Sequence, residues 1–356
     1  MLFIKRTLFL FLTTWILTGC LVEENINLPY ESYQPQQMAD GWSVSTVQAE
    51  GFDAQKIDDL IYSLYDQDNY PNLHSLLIAR HGQLVAEVYT KDKKEQNIPH
   101  NLVSATKSVT SLLTGIAIDK GYITSVDQTV FNYLPQYFDD DLRKREITIH
   151  HVLTMETGLD FDNDVDTNDL FNYSGSSLRF VLHKKLLFLP GTSWYYGDGN
   201  PQLISGIIRE VTGKSEEQFA VDYLFGPLGI DNYHWEKHAD GLSYGAKGLW
   251  LQPRDMAKIG QLMLQQGEWQ GQRIVSAEWI RTSTRLQSTH QQYGYYWYPE
   301  KDFNAYYAEG HGGQIIWMAP DIDLLIVITS DPYAKSYLLS QNYGTIFTEI
   351  INAIIN

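Results

Sequence analysis

Three segments carry side chains that could do covalent chemistry together. The first is Ser104-Ala105-Thr106-Lys107. A serine and a lysine three positions apart on a helix share a face, which sets the ammonium beside Oγ. In the first turn of a helix, free N–H groups and the positive dipole end also support a developing oxyanion. The second is Tyr195-Tyr196-Gly197-Asp198-Gly199-Asn200-Pro201, a turn-rich run leading into the apolar pattern Leu203, Ile204, Ile207, Ile208 and Val211. A tyrosine on such a loop can face a cleft, and beside a lysine cation a phenol becomes a usable proton shuttle. The third is Gly310-His311-Gly312-Gly313-Gln314, opening an apolar strand. Its glycines permit close backbone approach by a ligand, and its histidine can donate or accept a proton. Each pattern alone has an ordinary structural explanation: a solvated helix face, an aromatic plug, a hairpin turn.

The elements around them have a readable order. A helix is expected over Ala54 to Tyr65, followed by a hairpin of Leu73 to Ala79 and Leu84 to Tyr89 turning at His81-Gly82. Helical periods dominate from about residue 101 to 240, with Val109, Leu112, Leu113, Ile116 and Ala117 forming one apolar face. A further helix holds Met256, Ile259, Leu262 and Met263. Strands are expected at Tyr293 to Tyr298, Tyr306 to Glu309, Ile315 to Met318 and Leu324 to Thr329, and a closing helix over Tyr343 to Ile355. The sum is an α/β fold: an antiparallel sheet contributed by both chain ends (about 42–100 and 241–356), flanked by helices, with a mainly helical region (about 101–240) inserted.

Taken jointly, the order Ser-x-x-Lys, Tyr-x-Asp, His-x-Gly resembles the serine β-lactamase-related hydrolases, a group of class C β-lactamases, D,D-peptidases, esterases and aminohexanoate-oligomer hydrolases. The segment Thr148 to Leu159 (TIHHVLTMETGL) is similar to a stretch common there, as is Gly248-Leu249-Trp250 followed by Pro253-Arg254-Asp255-Met256-Ala257. The resemblance implies a β-lactamase/transpeptidase-like fold and a cofactor-free acyl transfer on a small ester or amide. Ser104 would be the nucleophile, Lys107 its activator and Tyr196 the proton shuttle, with the resting base left open between the last two. His311 would stand for the family's last lysine, and Gly313 and Gln314 would border the oxyanion hole, made of the Ser104 and Gln314 N–H groups. Asp198 stands where the family carries Asn, and a carboxylate cannot donate to an acylamide oxygen. His311 replaces a permanent cation. Both departures favour esters, or amides bearing an N–H or ammonium, over β-lactams. The alternatives are a D,D-peptidase or amidase on peptidoglycan-type peptides and a penicillin-binding sensor without turnover.

Competing patterns are weaker. Gly241-Leu242-Ser243-Tyr244-Gly245 matches a nucleophile elbow, but no apolar strand precedes it and Pro253 interrupts the following segment. The aspartates at 160, 162, 164, 166 and 169 do not fit a calcium loop and are expected in a solvated loop at the cleft rim. His150 and His151 lack a third ligand at zinc spacing, and no metal is expected.

The 356 residues carry a formal net charge of −17, which repels nucleic acid. The single cysteine removes any intramolecular disulfide. Lys5 and Arg6 precede an apolar run ending in Leu17-Thr18-Gly19-Cys20, which resembles a bacterial lipobox. It implies a signal peptide over 1–19, a lipid on Cys20, a polar tether over 20–41 and a hydrolase domain over 42–356. The chain would then be held at the periplasmic side of the cell envelope. Leu21 is not an inner-membrane retention residue and points to the outer membrane.

Overall fold

The computed structural model describes residues 32–66, 69–333 and 339–355, with side chains from 343 onward in the last segment. The signal-peptide and Cys20 expectations lie outside the described residues.

The chain begins with strand β1 (Ser43–Val44) and helix α1 (Ala54–Leu64), then the hairpin β2 (Leu73–Arg80) and β3 (Gln83–Tyr89), then β4 (His100–Asn101). Helix α2 (Thr106–Asp119) opens the helical region of α3 (Val130–Tyr133), α4 (Ile149–Leu153), α5 (Asn163–Asn172), α6 (Ser177–Leu182), α7 (Gly199–Thr212), α8 (Glu216–Ala220) and α9 (Gly226–Leu228). Strands β5 (Tyr233–Trp235) and β6 (Leu249–Leu251), helix α10 (Pro253–Leu264), the hairpin β7 (Glu268–Trp269) and β8 (Gln272–Arg273), and helix α11 (Ala277–Ser283) follow. Strands β9 (Tyr298–Pro299), β10 (Tyr306–Gly310), β11 (Gln314–Ala319) and β12 (Leu324–Ser330) and helix α12 (Leu339–Asn352) complete it. No helix among the described residues is long and apolar enough to cross a membrane.

The main sheet has the order β1-β3-β2-β12-β11-β10-β9, antiparallel except for the β1–β3 pair. It is indeed built from both chain ends. Its central strands are apolar on both faces, so they read as continuous runs rather than alternating ones. Leu77, Ala79, Leu325, Val327, Ile316 and Met318 join the core shared with the helical region. Their neighbours Leu76, Ile78, Ile326, Ile328, Ile315 and Trp317 join a second core under α1 and α12. Helix α1 offers that core Ile57, Leu60, Ile61 and Leu64, the one-face spacing of an amphipathic helix, and Asp53 caps it by accepting from the Gln55 and Lys56 N–H groups.

Several expectations need correction. Tyr293 to Tyr298 is not a strand except at its last residue. Tyr293, Tyr295, Tyr296 and Trp297 are all buried, so no face alternates, and Tyr296 turns the chain with φ 63°. Pro253 does not interrupt a helix but opens α10, where its missing N–H costs nothing. The acidic run is largely solvated, as expected, but it is not a loop: Asp164, Asp166 and Asp169 lie on helix α5, which Asp162 caps, and Asp166 alone of them is buried, paired with Lys184. Finally, part of the expected tether is docked. The Glu87 N–H donates to the Tyr33 carbonyl at 2.9 Å, and Arg254 donates to the Gln36 carbonyl and to Asp40 at 2.9 and 2.8 Å.

Candidate active site

Ser104 lies in a one-turn 3-10 segment, Val103–Ala105, that runs directly into α2. The turn is fixed on both sides. The Leu102 N–H donates to the Leu249 carbonyl of β6 at 2.8 Å, and the Asn101 side chain accepts from the Val103 N–H at 2.9 Å. Val103 is held at φ 47°, a conformation a β-branched residue adopts only under constraint, at a cost of about 1–3 kcal/mol.

One turn on, Lys107 is buried, and its Nζ has four polar partners, Ser104, Ala246, Asp198 and Tyr196, for its three protons. It donates to Ser104 Oγ at 3.0 Å and to the Ala246 carbonyl at 3.1 Å, and pairs with Asp198 Oδ1 at 2.8 Å. Its Nζ also sits 4.9 Å from the centroid of the Tyr196 ring. Burial pushes the Lys107 pKa down, but Asp198 and Tyr196 outweigh it and the net shift is upward. The resting lysine is therefore a cation.

Asp198 is not turned toward a substrate, as its place in the motif suggested. Oδ1 is on Lys107, and Oδ2 accepts from Thr167 Oγ1 at 3.0 Å. Asn163 clasps the same residue, accepting from the Asp198 N–H at 2.8 Å and donating to Oδ1 at 3.4 Å. Both Asn163 and Thr167 come from α5. The loop bearing Tyr196 is set from below by the Thr148–Leu159 segment: the Tyr195 N–H donates to the Met155 carbonyl at 2.9 Å, and Thr157 Oγ1 donates to Asn200 Oδ1 at 2.8 Å. Tyr196 hydrogen-bonds Tyr298, whose pKa burial and Tyr196 together push up, so Tyr298 is a neutral phenol.

The third segment meets the first through backbone. Gly310 ends β10 in register with Gln314 of β11, and both strands pack against the Ser104 turn. A Cβ on Gly310 would lie 2.0 Å from the Leu102 carbonyl oxygen, so glycine is required for that approach. Gly313 has φ 91°, and a Cβ there would strike the Tyr343 ring. The Gln314 side chain is turned inward, donating to the Ser330 carbonyl at 2.7 Å and accepting the Ser330 N–H at 3.2 Å. Only its backbone is left for a ligand. His311 is exposed at the β10–β11 turn. A cavity of about 890 Å3 adjoins these strands, lined among others by Tyr298, Tyr307, Glu300, Asp302, Glu309 and Gly313.

The competing patterns have structural roles. Ser243 is buried, and its hydroxyl accepts the Glu217 N–H at 3.2 Å. His151 forms a capping box with Thr148 at the start of α4, and His150 Nδ1 lies 2.9 Å from the Tyr295 hydroxyl.

The family profile described as "Beta-lactamase" matches residues 67–336. The chain belongs to the beta-lactamase family. It is 24% identical over 284 residues to the 6-aminohexanoate-dimer hydrolase of Paenarthrobacter ureafaciens, spanning 71% of each chain. Among solved structures it resembles a family VIII carboxylesterase, with a TM-score of 0.68 at 16% identity over 84% of this chain and 97% of that one. It also resembles a penicillin binding protein from Bacillus halodurans, with a TM-score of 0.64 at 15% identity over 81% and 100%. The fold is thus the β-lactamase/transpeptidase-like one, in a family that includes hydrolases of amides and esters.

Proposed function

We propose that this family member is a serine hydrolase that cleaves an ester or amide through an acyl-enzyme on Ser104. The observation that carries the reading is the 3.0 Å contact from Lys107 Nζ to Ser104 Oγ, with Asp198, Ala246 and Tyr196 as the other partners of the lysine. A lysine held as a cation donates to Oγ and cannot take its proton, so the proton is relayed through Tyr196. In the first step Oγ attacks the carbonyl carbon as its proton passes to the Tyr196 oxygen and the phenol's own proton is handed on toward the leaving group, and the oxyanion is met by the N–H groups of Ser104 and Gln314. The proton then passes to the leaving oxygen or nitrogen as that bond breaks. Water repeats the sequence on the ester of Ser104, releasing the acid.

The cavity beside β10 and β11 meets this site through Gly313 and through Tyr298, the partner of Tyr196; Ser104, Lys107 and Tyr196 are not in its lining. Its lining holds the carboxylates of Glu300, Asp302 and Glu309 and neither Lys nor Arg among the described residues. The substrate class rests instead on His311, which replaces a permanent cation and weakens any hold on a β-lactam carboxylate, and so suits a neutral or ammonium-bearing substrate. The relative named 6-aminohexanoate-dimer hydrolase is, by its name, an amide-cleaving member of that kind. The proposal extends to a lipid on Cys20 and an envelope location, supported by Lys5, Arg6 and Leu17-Thr18-Gly19-Cys20. Incorporation of a fatty-acid label in a bacterial host, lost in Cys20→Ser, tests that part.

The catalytic test is mass spectrometry after exposure to a fluorophosphonate, a short p-nitrophenyl ester and a penicillin. The adduct is expected on Ser104, with ester turnover, little penicillin hydrolysis, and neither label nor turnover in Ser104→Ala. Labelling at Ser243, or acylation without turnover, would overturn the hydrolase reading.

A further inference from the structure

Beside the strand that leads into the Ser104 turn, three side chains that play no part in this mechanism converge. His74 stands on β2, Glu95 in the 3-10 turn Lys93–Asn97, and His100 on β4. Their ligand-type atoms all lie within 4.8 Å of one another, the one such group of three among the described residues. His74 Nδ1 is 3.0 Å from Glu95 Oε1, and the two imidazoles meet edge to face at 5.4 Å.

Hydrogen bonding accounts for only part of the cluster, through a bond from the His100 ring to the Glu95 backbone. His74 Nδ1, Glu95 Oε2 and His100 Nε2 are each buried and without a hydrogen-bond partner. His74 Nδ1 thus approaches the Glu95 carboxylate closely without the alignment of a hydrogen bond. His100 is 91% buried, being only 9% exposed. Three orphaned polar atoms at one point are costly in an ordinary core, where nearly every such group is paired. They are what the ligands of one cation look like: neighbouring donors on a tetrahedral zinc with bonds of about 2.0–2.1 Å are roughly 3.3 Å apart. Small side-chain rotations close the remaining gap.

We propose that His74, Glu95 and His100 bind one zinc-class divalent cation, two imidazoles and a carboxylate being a donor set that suits such ions. The ion ties β2 to the strand leading into the nucleophile turn, because His100 is followed by Asn101, whose side chain holds Val103. It is a staple for that turn and takes no part in bond breaking.

The test is titration of chelator-stripped full-length protein with Zn2+, read by calorimetry and by Tm, beside Glu95→Gln, His74→Asn and Cys20→Ser. We expect one equivalent bound by the parent and by Cys20→Ser, with Tm raised by a few degrees as the folded state takes up the ion. Losing even an outer partner of a metal ligand costs about 10–100-fold in affinity, so Glu95→Gln and His74→Asn should each weaken binding at least that much and lose the Tm rise. These two residues are more exposed than His100, and the parent's own response needs no variant to fold. Ester turnover need not change for the proposal to stand. No saturable binding by the parent would overturn it and leave an ion pair beside a core histidine. Binding that survives both ligand variants, or that vanishes only with Cys20→Ser, would overturn it equally.

Discussion

Lys107 and Asp198 form a buried ion pair, and one substitution separates its contributions. In Asp198→Asn the carboxylate that holds the lysine proton is gone, while the burial that pushes the Lys107 pKa down stays. The lysine should therefore lose its proton at lower pH, and the alkaline limb of kcat/KM for a p-nitrophenyl ester should move toward neutrality. An unmoved limb would mean that Asp198 does not control the charge on Lys107. Glu216, beneath the same helix, allows a stability measurement independent of turnover. It is fully buried with no hydrogen-bond partner for either oxygen, and burial raises its pKa to about 8 despite Thr110 and Ser205 nearby. The folded state thus keeps a proton that the unfolded chain, with an ordinary glutamate, releases. This contribution is fully present below about pH 4.5 and is lost as pH rises through 8, to the extent of roughly 5 kcal/mol. Chemical denaturation against pH should show the decline in the parent and a flatter profile in Glu216→Gln; parallel profiles would assign the slope to other groups. At this scale the sequence was legible where the chemistry is local. Ser104 and Lys107 are one turn apart, whereas Asn163 and Thr167, which hold Asp198, lie more than thirty positions before it and carry no motif.

Elements decide whether those side chains meet. The end of β10 reaches the nucleophile turn only because Gly310 lacks a Cβ, which would lie 2.0 Å from the Leu102 carbonyl oxygen. Gly310→Ala should push the turn and the strand apart by about an ångström or more and cut acylation of Ser104 by about a hundredfold, since catalytic geometry tolerates little displacement. Fluorophosphonate labelling rates, with circular dichroism to confirm the fold, check this; near-parental labelling would show that the contact is not needed. Helix α10 is placed by a different device. Arg254 at its start is buried and donates twice to Glu87 of β3, at 2.7 and 2.8 Å. Arg254→Met strands the Glu87 charge and should cost about 3–5 kcal/mol in denaturant unfolding. Element types were readable where burial follows a period: α1 shows one apolar stripe, and β12 is a run apolar on both faces. The stretch 293–298 was misread as a strand because its aromatics mimic strand composition. Each is buried separately instead, and the Tyr296 carbonyl is used by Ser108 Oγ at 2.6 Å.

At the scale of the molecule, the site exists only where three distant parts of the chain close on one another: the turn at 103–105, the loop at 195–200 and the β10–β11 pair. The sheet from both chain ends brings the first and third together, and the inserted helices carry the second, an arrangement the three motifs and their order already implied. The polar N-terminal segment was harder to read. Glu, Gln and Pro without a period resemble a linker, and nothing within 32–41 announces a partner more than two hundred residues away. Yet Gln36 and Asp40 complete the shell of Arg254, and Gln37 donates to the Trp42 carbonyl at 2.7 Å. Trp42 in turn is buried and donates its indole N–H to the Arg254 carbonyl at 3.2 Å. The segment therefore acts as a strap across β3 and α10. A chain beginning at Trp42 should be less stable than one beginning at Ser32 by about 2–4 kcal/mol, since hydrogen bonds to a charged group contribute about 1.5–3 kcal/mol each. In Arg254→Met most of that difference should disappear, because the segment and the guanidinium stabilise the same junction and their losses are not additive. Equal melting of the two chains would make 32–41 a spacer, with Glu87 alone responsible for anchoring Arg254.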